Sequence, residues 1–223
     1  MLLNEDFSAR AVVHAGAMAW VPSPTKGVDR RMLFRIGEEK ARATSIVRYA
    51  PGSEFPAHGH PGGEEILVLD GVFQDESGDY PAGSYLRNPP GTSHRPGSQP
   101  GCTIFVKLWQ FRKDDNALVA LGADHGPAAS WPGVTASRKL FDNGHEEVRV
   151  ENWARDAGVE MANPNGLELL VLDGSFTDGT ELLEKHTWLR LPPGRHLKAR
   201  TGARGARVWL KAGALLQDNI CEF

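Results

Sequence analysis

Four residues in the first half of the chain have the types and spacing to hold a metal ion: His58, His60, Glu64 and His94. Neutral imidazole nitrogens and one carboxylate are donors suited to Fe(II), Zn(II), Mn(II), Ni(II) or Co(II), and this donor set does not choose among them. Four such ligands could close a tetrahedral zinc site or leave two positions open on an octahedral iron. A closed zinc site would be structural or a sensor element. An open site could bind O2, a hydroperoxide or a chelating enolate.

The surrounding sequence must bring these residues together. In an extended strand alternate side chains share a face, so His58 and His60 point the same way with Gly59 opposite. Pro61-Gly62-Gly63 breaks that strand and lets Glu64 open the next, Glu65-Ile66-Leu67-Val68-Leu69-Asp70-Gly71. After Gly83, the turn Asn88-Pro89-Pro90-Gly91 delivers His94 from a further strand. Apolar, β-branched stretches bounded by Gly and Pro predict strands over 43–49, 64–73, 83–88 and 101–111. Helical periodicity is weak throughout, and 25 glycines and 15 prolines punctuate short elements, as in an all-β protein. Residues 1–15 are expected to be an arm that pairs with a sheet or a partner.

The chain also repeats itself once. Glu65–Phe73 is echoed by Glu168–Phe176, Leu86-Arg87-Asn88-Pro89-Pro90-Gly91 by Leu189-Arg190-Leu191-Pro192-Pro193-Gly194, and Ile104–Lys107 by Val208–Lys211. A repeat of this length predicts duplication of a whole domain, 1–113 followed by 114–223, with a linker over 112–130. The second copy has lost the ligand set. Leu167 takes the place of Glu64, and Met161-Ala162-Asn163-Pro164-Asn165-Gly166 replaces the His-x-His loop and reads as three residues shorter. His196 remains near the place of His94. A single imidazole chelates poorly, so the second copy is expected to be structural or an apolar pocket.

The order Gly52, His58-x-His60, Glu64, Gly71 matches the first cupin motif. Gly83, Pro89-Pro90-Gly91 and His94 match the second, with Ser98 where Asn is usual. The chain resembles a bicupin, two tandem jelly-roll (double-stranded β-helix) barrels, and more closely the ChrR-like cupins. The passages that carry the likeness are His58–Gly71, Gly78–Tyr85 and Gly101–Lys107, all in the first repeat. By that resemblance His58, His60, Glu64 and His94 are the metal ligands, and zinc is favoured. It further implies a sensor or regulatory role in the transcriptional response to oxidants such as singlet oxygen, with an extracytoplasmic-function sigma factor as partner. The helical anti-sigma domain of that system, with its His-x3-Cys-x2-Cys zinc site, has no counterpart in this sequence, so sigma-factor binding does not follow. The same ligand set also supports metal-dependent dioxygenases acting on small organic substrates. A third reading is that the metal only staples the barrel.

Composition narrows the remaining classes. The net charge of −3 provides no basic field for nucleic acid. No apolar run is long enough to span a membrane, and the N-terminus lacks the pattern of a signal peptide. Cys102 and Cys221 stand far apart and form no disulfide framework, which suits the cytoplasm. The basic stretch 198–207 is expected to be a solvated hairpin loop. Glu65 should face away from the metal, at the outer face. Tyr85, Phe55 and Phe73 could line a cavity, although aromatics of a small barrel are more often core, and Cys102 is expected to be an inert buried thiol. His14, His125, His145 and His186 are expected at the surface. Sheet edges of such barrels could pair in a homodimer.

Overall fold

The structure is a computed structural model, and it describes every residue except 39, 214, 216–218 and 223. The all-β expectation holds: strands dominate, with one 3-10 turn at Ala15–Ala17 and no α-helix among the described residues. None of its helices is long and apolar enough to cross a membrane.

The chain divides into two compact units, and the division is not a single cut. Met1–Glu5, Ala19–Asp124 and the described residues of Gln217–Phe223 form the first unit; Asp6–Met18 and His125–Leu216 form the second. The expected N-terminal arm therefore serves both. Leu2–Leu3 pairs with Val28–Gly37 in the first unit, and Ala11–His14 pairs with Thr187–Leu191 in the second. The expected linker also contains a strand, Val119–Leu121, which extends the first unit's sheet beside Tyr85–Asn88.

In the first unit, Val28–Gly37, Ala41–Tyr49, Cys102–Leu108, Glu64–Asp75 and Tyr85–Asn88 pair antiparallel in that order. The four predicted strands are all present, with boundaries shifted by a few residues at most. One face carries Ile66, Val68, Phe73, Ile104 and Val106 into a core with Val28 and Tyr49. The opposite face is also closed. Glu65, expected at the outer face, is only 3 % exposed; it lies 3.6 Å from Arg87 and accepts a 2.8 Å hydrogen bond from the Tyr85 hydroxyl. Burial of a charge requires such partners, and Arg87 is held in turn by Asp115 at 2.5 Å. Tyr85, named among the residues that could line a cavity, is thereby fully buried on this opposite face and does not line the cavity.

In the second unit, Leu197–Gly213 is one continuous strand that pairs with Glu146–Trp153, Gly158–Met161 and Leu167–Asp178. The basic stretch 198–207 is thus strand and not a loop. Lys198, Arg200 and Arg207 occupy its solvated face, while Leu197, Ala199 and Thr201 alternate inward. The interior is filled by Leu169, Val171, Phe176, Leu189, Leu191 and Leu210.

Candidate metal centre

Two short strands position the imidazoles. His58–His60 pairs antiparallel with Thr92–His94, so that His94 lies opposite His58 and Thr92 opposite His60. Thr92 follows a turn closed by its own N–H to the Pro89 carbonyl at 3.2 Å, with Gly91 at φ +89°. Gly63, at φ +77°, makes the second tight bend; a Cβ there would lie 2.3 Å from the Phe111 ring. That bend starts the strand Glu64–Asp75 with Glu64 turned towards the histidines.

The four side chains predicted from the sequence converge. One ligand atom from each of His58, His60, Glu64 and His94 lies within 4.8 Å of all the others. The imidazole centroids are 4.6–5.2 Å apart and the rings are nearly perpendicular to one another. His60 Nε2 and His94 Nε2 stand 3.3 Å and 3.2 Å from the same oxygen, Glu64 Oε2. Both nitrogens are buried, yet neither has a hydrogen-bond partner. Two orphaned acceptors facing one carboxylate are what a cation would satisfy.

The other ring nitrogens are all engaged, by residues the sequence reading passed over. His58 Nδ1 donates to the Pro56 carbonyl at 2.9 Å. His60 Nδ1 lies 3.0 Å from the Thr92 hydroxyl, which itself donates to the Pro89 carbonyl at 2.7 Å and so can only accept from the ring. His94 Nδ1 lies 3.2 Å from Asp75 Oδ2. Each neutral ring therefore carries its proton on Nδ1 and presents the Nε2 lone pair to the centre. Asn88, paired with Glu64 in the adjoining strand, donates to Glu64 Oε2 at 3.2 Å. Burial pushes the Glu64 carboxyl up, but His94 and His60 beside it outweigh that and hold it below its ordinary value. Burial holds the His60 imidazole below its usual range; for His94 the neighbouring Glu64 and Asp75 overcome burial and raise it.

A cavity of about 360 Å³ opens beside this quartet. His58, His60 and Glu64 form one side of it, and Tyr49, Phe55, Phe73, Ile104, Val106 and Trp109 supply much of an apolar wall. Phe55 and Phe73 line the cavity and also belong to or pack on the core, and Tyr49 and Trp109 join them. Cys102 is buried, and desolvation pushes its thiol up to about 11, as befits an inert group. His14, His125 and His145 are exposed and His186 is half-buried, all remote in sequence from the quartet.

The second unit shows what happened to its copy of the site. Leu167 pairs with Leu191 just as Glu64 pairs with Asn88, and Gly194 bonds Asn163 as Gly91 bonds His60. Leu197 pairs with Met161 as His94 pairs with His58. The loop is therefore not shortened: the two copies correspond residue for residue, and Met161, Asn163, Leu167 and Leu197 occupy the four ligand positions. The exposed His196 is one residue out of register. Its Nδ1 accepts the Asn163 N–H at 3.2 Å, while the Asn163 amide is tied to the carbonyls of Pro192 and Arg195 at 2.9 and 3.0 Å. Among the described residues no second cluster of metal-ligating side chains is present.

Comparison with known proteins follows the same outline. Residues 8–112 match the family model described as the ChrR cupin-like domain, so that stretch is similar to the ChrR-like cupins. A search of curated proteins finds no match. Among solved structures, a candidate dioxygenase from Nostoc punctiforme aligns with a TM-score of 0.73 at 15 % identity, over 97 % of this chain and 87 % of that one. The bacterial pirin YhhW from Escherichia coli, solved with nickel(II), gives 0.69 at 14 % identity, over 92 % and 99 %. The oxalate decarboxylase of Lactobacillus farciminis, solved with formate, gives 0.66 at 8 % identity, over 92 % and 86 %. At such identities the likeness is one of fold, which is cupin-like.

Proposed function

We propose that this chain is a ChrR-like cupin of two tandem barrels, with a metal-dependent first barrel, broadly residues 1–113, and a second, broadly 114–223, that has become structural. His58, His60, Glu64 and His94 would hold one divalent transition metal beside the cavity, where it would supply Lewis-acid or redox chemistry towards a small organic molecule. The observation that carries this reading is the set of three fixed tautomers. Every Nδ1–H is committed to an acceptor, and the Nε2 atoms of His60 and His94 face one carboxylate oxygen and are buried without a hydrogen-bond partner. A redox-active ion bound there would supply dioxygenase-type chemistry, and the dioxygenase reading is the one the adjoining cavity supports.

The protein's own contribution is positioning. The hydrogen bonds at Nδ1 orient the rings and raise their basicity as ligands. Asn88 holds Glu64 in place, and the apolar wall keeps water from competing with a bound organic molecule. Protein purified without added metal and analysed for bound ions tests the assignment: one equivalent of iron, manganese or nickel with open positions supports the enzyme. One equivalent of zinc with a closed coordination sphere would refute it.

A second reading keeps the same site and gives it a regulatory role. It is favoured by the family match over residues 8–112, and zinc with an oxidant-responsive partner would be its signature. Co-purification of a sigma factor would support it.

A further inference from the structure

The cavity wall opposite the quartet carries two arginines, and the backbone contains a device that puts them both there. Arg30 and Arg35 lie on the strand Val28–Gly37. Five residues apart, they would point to opposite faces of a regular strand. The register with Ala41–Tyr49 shifts between Met32 and Phe34, and this bulge restores them to one face. Arg30 then pairs with Val47 and Arg35 with Ala43, and all four residues line the cavity.

The register also places Arg35 relative to the quartet. Glu64 pairs with Leu108, Leu108 with Ala43, and Ala43 with Arg35, so the two charged residues end one rung of the sheet. Three interstrand steps separate them, about 14 Å along the sheet. Both side chains are half-buried, and two cations facing one apolar cavity favour an anion between them. Among the described residues that line it, Glu64, which belongs to the quartet, is the only carboxylate. Arg30 has no ion pair or hydrogen bond among the described residues, and its Nε is buried. Among the described residues Arg35 donates to the backbone carbonyl of Glu38, and the Glu38 charge offsets part of its burial. Burial and then the charge of Arg30 pull the Arg35 guanidinium below its ordinary value, so the pair repel each other as they stand.

We infer that the cavity binds a small organic acid that chelates the metal at one end and presents a carboxylate to Arg30 and Arg35 at the other. This rests on the metal-centre reading above. A planar guanidinium matches a carboxylate in shape and charge. The volume and the apolar wall allow a short hydrocarbon spacer between the two ends, and neutral or cationic ligands are disfavoured.

The test uses the full chain loaded with zinc, so that binding is read without turnover. 2-Oxoadipate and 2-oxohexanoate share the same chelating end and chain length, and differ only in a terminal carboxylate against a terminal methyl. Calorimetric titration of both, with quenching of tryptophan fluorescence as a second signal, should show 2-oxoadipate binding at least tenfold tighter. Arg30→Met and Arg35→Gln, each checked for zinc content and circular dichroism, should each reduce that preference to threefold or less, and Arg30→Lys should retain part of it. Equal binding of the two acids, no binding of either by the zinc-loaded protein, or a preference unchanged in both folded arginine variants would overturn the inference while leaving the metal site intact. Failure of the wild-type chain to hold zinc would instead overturn the metal-centre reading, and the ligand assignment with it.

Discussion

Thr92 is the most economical place to perturb the metal centre without touching a ligand. Its hydroxyl accepts from His60 Nδ1 at 3.0 Å and donates to the Pro89 carbonyl at 2.7 Å, which forces the His60 proton onto Nδ1. Thr92→Val preserves the shape of the side chain and removes both interactions. The buried His60 ring then loses its only acceptor, at a cost of about 1–3 kcal/mol for an unsatisfied donor. It can relieve this by moving its proton to Nε2 and donating to Glu64, the tautomer that cannot bind metal. Loss of such a supporting hydrogen bond weakens metal binding by about 10–100-fold, or about 1.4–2.8 kcal/mol. Zinc affinity measured by competition with a chromogenic chelator should fall by that factor in Thr92→Val and recover to within about threefold of wild type in Thr92→Ser. Wild-type affinity in a folded Thr92→Val protein would refute the idea that this hydroxyl fixes the ligand tautomer.

Other outcomes follow from the same geometry. Stripping the metal with a chelator should lower the thermal midpoint of the first unit by about 5–10 °C relative to protein held at a hundredfold excess over Kd, and calorimetry would show it. Gly63→Ala should destabilise the first unit by about 1–3 kcal/mol in urea titration, because it combines a left-handed backbone with a Cβ driven into the Phe111 ring; stability equal to wild type would contradict the close approach. His196→Ala should leave metal content unchanged, since His196 is exposed and outside the ligand register, and should cost about 1 kcal/mol of second-unit stability in urea titration because the Asn163 N–H loses its acceptor. Cys102, with its thiol pushed up to about 11, should resist iodoacetamide in the folded protein at pH 8, where only about one part in a thousand is thiolate. Rapid labelling of Cys102 before unfolding would show that the site opens.

The ligands were legible because they are local. His58-x-His60 and Glu64 sit within one turn and two strands, where side-chain parity and the Pro-Gly break leave little freedom, and the Pro-Pro-Gly turn brings His94 back to the same place. The supporting residues were not legible, because their partners come from register. Asp75 lies at the far end of the strand that Glu64 begins, Thr92 reaches His60 only across the two-stranded pair, and Asn88 meets Glu64 only through strand pairing. Parity itself misled at Glu65, which does turn away from the quartet but into a buried ionic cluster. It also hid the two cavity arginines, whose odd spacing is reversed by a bulge that no residue type announces. The basic stretch 198–207 was misjudged for a related reason: its glycines suggest a loop, whereas the alternation of Leu197, Ala199 and Thr201 between charged residues is that of a strand with one wet face. In the second copy, His196 drew attention as a surviving histidine, while the register passes the ligand position to Leu197.

The claim on which the rest depends is that one divalent cation sits among His58, His60, Glu64 and His94 and none in the second copy. Elemental analysis of the purified chain, paired with anomalous diffraction at the absorption edge of the ion found, tests it most directly. The expected result is one equivalent per chain, a single anomalous peak within bonding distance of those four side chains, and its loss in His60→Ala. An ion retained at full occupancy in His60→Ala, or a peak beside Asn163 and Leu197, would contradict it.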